Sequence, residues 1–565
     1  LTCDAACLAD EPPADSCFLI KGNPSMPARR RNLILVCFLS CLFIAVFGSA
    51  QDDQLESPTV RLPEGVEPVW NVQRASRQET GTRARICING LWRWQPAESG
   101  ESDIPNIDWG YFKVPGCWPG ITDYMQKDCQ RLYAHPSWQD ARLRDNKAAW
   151  YQRQITVPTD WKQRRIVLQA SYVNSFADVY LDGQRVGALR FPAGEVDLTA
   201  FCTPGRAQTL SMLVTAMPLS AVMMSYSDTA SARQVEGRVA RRGLCGDVYL
   251  ACTPPGPRIE NVKIDTSVRH GNVRFHVDCK GLDPDAHYRL KAHVTDGQDS
   301  VRQFQSDSFQ PHELDAGRLV FTRPWRPDKL WDIHTPENTY QVELSLYGSD
   351  DQLFDTEYRR RVGFREFWID GRDFYLNGTR IFLSSVPLDN AQVGAAWATY
   401  AAARESLQRL QSFGINFVYT HNYGCQPGSH LSFDQILRAA DDVGMLVALS
   451  QPHFGHYDWD SSGTGAPDGY ARHAAFYVRV AQDHPSVVAY ATSHNATGYA
   501  EDMNPDMIDG VQAERSEWST RNVQRAQVVE RIIKQLDGSR IVYHHASGNL
   551  GPMHTSNFYA NFAPI

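Results

Sequence analysis

Between His484 and Asp506 the chain reads HPSVVAYATSHNATGYAEDMNPD. The apolar run Val487–Ala491 leads directly into Ser493, His494, Asn495 and Ala496, and no carboxylate follows until Glu501 and Asp502. A short buried strand that ends in a polar cluster delivers side chains to a site. The chemistry at issue is proton transfer. An amide has no proton to give at a carboxylic acid's pKa, so Asn495 cannot be a general acid, whereas Glu501, or Asp502 beside it, could act as one by folding back from its loop. The same EDMNPD stretch also reads as a solvated acidic turn that caps a helix beginning near Pro505.

Imidazoles and amides recur at the ends of other apolar runs: His421, Asn422, His453, His456, His494, Asn495, His544 and His545. Both groups pair with hydroxyls as donor or acceptor, so their convergence on one rim predicts a polar pocket for a hydroxyl-bearing ligand. His421, Asn422, His494 and His544 are the expected hydroxyl partners. Trp459 and Tyr559 are the expected stacking faces, with Tyr457, Tyr490, Tyr499 and Phe558 as further rings that serve equally well in a core. His453-Phe-Gly-His456, with Asp458 and Asp460, is the one grouping that could ligate a divalent metal. No H-E-x-x-H accompanies it, so metal-assisted hydrolysis is the lesser alternative and no cofactor is expected. Asn377-Gly-Thr and Asn495-Ala-Thr match the N-glycosylation pattern, a match short enough to be incidental.

These residues need a frame. From Gly371 onward strand-like and helix-like runs alternate: Ile381–Val386, Tyr400–Phe413, Ile415–Thr420, Phe433–Val443, Met445–Ser450, Gly469–Asp483, Val487–Thr492, Trp518–Leu536, Ile541–His545 and Phe558–Ala560. Alternating β and α predicts a parallel sheet, either open or part of a (β/α)₈ barrel. No G-x-G-x-x-G follows any of these strands, which lowers a dinucleotide site. Upstream the texture is β. Trp150–Val157, Ile166–Ala170 and Ala177–Leu181, the last closed by Asp182-Gly183, predict a sandwich or jelly roll. After the Pro-rich stretch Thr253–Pro257, the runs Ile259–Val268, Val273–Val277, Tyr288–Val294 and Tyr340–Leu346 predict a second, smaller sandwich.

Composition sets outer bounds. The 565 residues are 42% hydrophobic and 21% charged, with a net charge of −8. Several cores can be buried without staples, and no basic surplus exists for a nucleic-acid partner. Arg29-Arg30-Arg31, the apolar run Leu33–Phe47 and Gly48-Ser49-Ala50 form the n-region, h-region and small-residue cleavage site of a secretory signal. The apolar run is short for a membrane span. Export is therefore expected, to the periplasm or beyond, with no stable membrane anchor after cleavage. Residues 1–25 read as a mis-called start ahead of Met26. Eight cysteines follow the expected cleavage point (Cys87, Cys117, Cys129, Cys202, Cys245, Cys252, Cys279 and Cys425), and an exported protein could oxidise some of them.

The chain from about residue 75 onward resembles the family 2 glycoside hydrolases, the relatives of β-galactosidase, β-glucuronidase and β-mannosidase. The resemblance lies in the order of its motifs. These are Asn89-Gly-Leu-Trp-Arg-Trp94, Val114-Pro-Gly-Cys-Trp118, Ala149-Trp-Tyr-Gln-Arg153 and Val179-Tyr-Leu-Asp-Gly183. They continue with Leu330-Trp331, Val362-Gly-Phe-Arg365, Phe374-Tyr-Leu-Asn-Gly378 and His484-Pro-Ser486.

The resemblance implies a galactose-binding-like jelly roll (75–255), an immunoglobulin-like β-sandwich (256–365) and a C-terminally truncated (β/α)₈ TIM barrel (366–565). These follow a signal peptide (26–50) and a linker (51–74). It also implies hydrolysis of β-linked O-glycosidic bonds in poly- or oligosaccharides with retention, using two carboxyl groups about 5–5.5 Å apart. In that family the acid/base Glu closes the fourth strand. Here Asn495 falls on that position, or Ala496 if one residue is inserted, so Glu501 is the expected substitute. The nucleophile belongs to a seventh strand, expected beyond Ile565. Tyr419 stands where the family has Arg. The alternative is a carbohydrate-binding protein that kept the fold and lost the acid.

Overall fold

The computed structural model describes residues 59–98, 100–101, 103–118, 132–143, 145–216, 242–389, 399–421, 433–452, 454, 457, 459, 466–492, 515–545 and 550–555. Three layered units follow one another along it.

The first is a β-sandwich. One sheet runs in the order Arg77–Glu79, Ala84–Cys87, Val248–Thr253, Arg165–Ala170, Gly194–Asp197. The facing sheet runs Gln184–Arg190, Phe176–Leu181, Ala207–Thr215, Ala148–Thr156, Gly90–Ala97, Gly110–Val114, Leu132–Tyr133. Period-two patterning drives the layering. In Phe176–Leu181 every second side chain is buried, and such residues from both sheets (Ile86, Trp94, Tyr151, Leu168, Val179, Leu250) form one core. The predicted turn is present: Asp182 (φ 48°) and Gly183 (φ 85°) both adopt the left-handed conformation that a two-residue hairpin requires.

The second unit is a smaller sandwich. Its sheets run Arg258–Ser267, Asn272–Lys280, Arg318–Pro324 and Asp299–Gln305, Tyr288–Asp296, Tyr340–Gly348, Leu353–Thr356. Phe275, Val277, Leu290, Leu344 and Trp325 fill it. Two further strands were not anticipated: Asp299–Gln305 exposes polar side chains along most of its length and so lacks an apolar run, and Arg318–Pro324 carries only the three-residue apolar run Leu319–Phe321, with Val320 exposed.

The third unit is a parallel sheet. Strands β1 (Ser385–Asp389), β2 (Phe417–His421), β3 (Leu446–Ser450), β4 (Val487–Thr492) and β5 (Ile541–His544) lie side by side in chain order. Helices α1 (Tyr400–Ser412), α2 (Phe433–Val443), α3 (Ala466–Ala481) and α4 (Glu517–Leu536) make the connections. An unbroken sequential order has no point of strand reversal, so the sheet is not of the doubly wound type. β3 and β4 are buried along their whole length because both faces are covered. Val487 and Tyr490 pack toward the helices. Val488, Ala489 and Ala491 pack toward the opposite layer with Phe367, Phe417 and Tyr543.

One expectation is corrected here. The run Ile381–Val386 is not a single strand. Thr379–Ile381 ends a small antiparallel sheet with Phe367–Asp370 and Asp373–Leu376, and β1 begins afresh at Ser385. Between them the Ser384 amide donates to the Asn416 side chain at 2.9 Å, which redirects the chain into the parallel sheet.

Candidate active site

The parallel register brings the C-terminal strand ends level: Asp389 with His421, Ser450 with Ala491, and Thr492 with His544. This is the edge where parallel α/β sheets build their sites, because the connecting loops gather there. Backbone and side-chain hydrogen bonds sew the edge together. The Ser450 amide donates to Thr420 Oγ1 at 2.8 Å, and the Gln451 amide to the Ala491 carbonyl at 2.9 Å. The His545 amide donates to the Thr492 carbonyl at 2.8 Å. The rings of Tyr419 and His545 lie 5.4 Å apart at this edge.

His544 was expected to face a sugar, and the structure corrects this. Its side chain is fully buried. Nδ1 meets Thr492 Oγ1 at 2.8 Å and Nε2 meets Glu530 Oε2 at 3.0 Å. Both ring nitrogens are engaged by the protein, so His544 ties β5 to β4 and α4. Glu530, held by hydrogen bonds from His544 and Lys534, has its carboxyl pulled down to about 2. It is ionised at ordinary pH and is no proton donor. Neither Thr492 nor Glu530 was foreseen: Thr492 ends an apolar strand, and the only local signal at Glu530 is its spacing to Lys534 on one helix face.

Tyr490 and Tyr457 are also core rather than sugar platforms. Tyr490 is fully buried, with its hydroxyl on Asp537 at 2.8 Å. Tyr457 is 4% exposed and its hydroxyl lies 2.7 Å from His473 Nδ1. Trp459 keeps part of its surface open. Its indole N–H donates to the Phe454 carbonyl at 2.8 Å and its ring lies 5.8 Å from that of Tyr470. His421 is the last residue of β2, and only its backbone is described. Asn422, His453, His456, Asp458, Asp460, His494, Asn495, Tyr499, Glu501, Asp502, Phe558 and Tyr559 lie outside the described residues. Among the described residues no group of three or more His, Cys, Asp or Glu is placed to hold a metal.

The opposite edge is structural. Asp441 of α2 takes His484 Nδ1 at 2.6 Å and the Ser486 amide at 3.0 Å. Burial alone would lower the His484 pKa, but the Asp441 and Asp434 carboxylates outweigh it and raise it to about 10. Arg365 donates to the carbonyls of Pro485 and Val487 at 2.9 and 2.6 Å. Arg540 donates to Val487 and Asp537 at 2.8 and 2.6 Å. Burial, and then the like charge of Arg540, push the Arg365 guanidinium down to about 9. These arginines saturate the start of β4 and so fix where its far end emerges.

The comparisons accord with this architecture. A β-glucuronidase of Paenibacillus borealis is 23% identical over 464 residues, covering 76% of this chain and 70% of that protein. A β-galactosidase of Aeromonas hydrophila is 23% identical over 468 residues, covering 76% of this chain and 42% of that one. The crystal structure of a Bacteroides uniformis β-glucuronidase aligns with a TM-score of 0.58 at 21% identity, over 82% of this chain and 52% of that one. A glycosyl hydrolase family 2 member from Bacteroides cellulosilyticus aligns with a TM-score of 0.57 at 17% identity, over 82% and 57% of the two chains. The chain thus spans about half the length of these two solved structures and 42% of the Aeromonas protein. No family profile matches it. Two sandwiches followed by a sequentially wound parallel sheet, with these similarities over three quarters of the sequence, make the chain similar in fold and sequence to the β-glucuronidases and β-galactosidases of glycoside hydrolase family 2.

Proposed function

We propose that the protein is an exported glycosidase that hydrolyses β-linked O-glycosyl bonds with retention. In this reading the first sandwich (75–255) is a jelly roll, the second (256–365) is immunoglobulin-like, and the sheet from 366 is part of a (β/α)₈ barrel. One observation carries it: the five parallel strands wind in sequential order and end in a level polar edge, the geometry on which barrel hydrolases mount their sites. Glycosidase names among the relatives support the bond class. Export draws support from the apolar leader-like run before residue 51. No cofactor is invoked.

Protonation of the leaving oxygen falls to Glu501 in this reading. Full-length protein assayed on aryl β-galactosides and β-glucuronides should turn over at least one of them, and Glu501→Gln should cut kcat by about 10²-fold or more. The loss should be smaller for an aryl leaving group that needs no protonation. Turnover that survives Glu501→Gln unchanged on poor leaving groups sinks the assignment. A second reading has its own observation: Asn495 occupies the position where the resemblance places the acid. A protein that binds β-glycosides in calorimetry yet hydrolyses none would be the carbohydrate-binding form of this fold. Activity lost to a chelator and restored by zinc would instead favour the metal-assisted alternative.

A further inference from the structure

The first sandwich reaches the candidate site through a chain of aromatic rings. Phe191 lies just past the strand Gln184–Arg190 and is 5% exposed. Its ring stands perpendicular to that of His473 on α3, with centroids 5.0 Å apart. Tyr172, from the same sandwich, packs against Phe191 at 5.7 Å and against Phe476 on α3 at 5.6 Å. His473 is 1% exposed, and burial keeps its imidazole neutral, with the pKa pushed down to about 3. Nδ1 lies 2.7 Å from the Tyr457 hydroxyl, while Nε2 is buried with no hydrogen-bond partner among the described residues.

Leaving one ring nitrogen unsatisfied costs about 1–3 kcal/mol, so His473 is a poor choice as filler. A phenylalanine or leucine would pack more cheaply there. What the imidazole adds is the bond to Tyr457. That residue sits two positions before Trp459, in the segment that follows β3 at the C-terminal edge.

We propose that Phe191, His473 and Tyr457 form a positioning relay through which the N-terminal sandwich fixes the segment after β3 and sets where Trp459 stands to meet a pyranoside ring. The sandwich is then part of the site's scaffold and not an appended module. The sugar-facing half of this inference rests on the glycosidase reading. The mechanical half does not.

The test separates them. In the full-length protein, His473→Phe keeps ring volume and loses the bond, Tyr457→Phe loses the hydroxyl, and Phe191→Ala removes the sandwich's contact. Phe275→Leu, in the core of the second sandwich, controls for general destabilisation. Hydrogen exchange over residues 450–460 should rise about tenfold or more in all three relay variants and stay unchanged in the control. KM for an aryl β-glycoside should rise about tenfold with kcat nearly unchanged. The His473→Phe/Tyr457→Phe double variant should be no worse than either single one, because both remove the same bond. His473→Gln, which retains a hydrogen-bonding group, should recover part of the loss. Unchanged exchange in the variants overturns the relay. Raised exchange with unchanged KM overturns its role at the site. If the wild type neither hydrolyses nor binds any glycoside, the glycosidase reading fails, and the exchange data still decide whether the sandwich holds the segment.

Discussion

His484 shows how a single residue can matter to the site while lying at the wrong end of the sheet to touch it. It precedes β4, and its imidazole is clamped by Asp441 at 2.6 Å with Asp434 at 3.7 Å. Its folded pKa of about 10 stands above the ordinary histidine value of 6.5. The stabilisation is therefore complete below about pH 6.5 and is lost progressively as pH rises through about 10. Chemical denaturation between pH 6 and 10.5 should show this alkaline decline. His484→Gln should lack it and be less stable at pH 6 by about 3–5 kcal/mol, the cost of leaving Asp441 buried without its cation. An identical slope in the variant would mean another group is titrating.

At the scale of elements, the C-terminus of α2 must turn sharply into β3, and the turn is made by Gly444. Its φ is +79°, and the amides of Gly444 and Met445 both return to the Ala440 carbonyl at 2.9 Å. A Cβ at this position would stand 2.3 Å from the Ile333 carbonyl oxygen, in the connection between strands Arg318–Pro324 and Tyr340–Gly348 of the second sandwich. Gly444→Ala combines backbone strain with a backbone clash and should lower stability by about 2–4 kcal/mol, read as a urea midpoint shift. A neutral result would show that the two units separate easily. The element-level frame was largely legible beforehand: the runs over 400–413, 433–443, 446–450, 487–492 and 541–544 are long, periodic or uniformly apolar. The edge strands Asp299–Gln305 and Arg318–Pro324 of the second sandwich were not, since their identity comes from the neighbour they pair with.

Across the whole molecule, charged side chains lock the units together. Arg83 of the first sandwich is buried against Asp355 and Glu357 of the second, donating through Nε to Asp355 Oδ1 at 2.8 Å and through Nη1 to Glu357 at 2.6 Å. Lys263 of the second sandwich reaches Asp537 beside β5 at 2.9 Å. An arginine between two carboxylates makes a geometry-specific joint, and removing it leaves two buried anions facing each other. Arg83→Met should cost about 3–5 kcal/mol at that interface. Differential scanning calorimetry should then resolve separate transitions for the first sandwich and the rest. A single transition at an unchanged temperature would show that the aromatic contacts of Phe191 and Tyr172 suffice to join the units.

The residues by themselves determined the order of the units and the types of most of their elements, because periodicity and turn chemistry are local and can be read within about a dozen residues. They also located the polar ends of the parallel strands, since an apolar run must stop where its burial stops. Only the tertiary structure decided which of those polar side chains face outward. His544, Tyr457 and Tyr490 have the composition of a sugar pocket, yet each is consumed by a partner far away in sequence: Glu530, His473 and Asp537. Whether a donor is available to a ligand depends on what the fold has already placed beside it, and that pairing is set by the packing of helices onto the sheet.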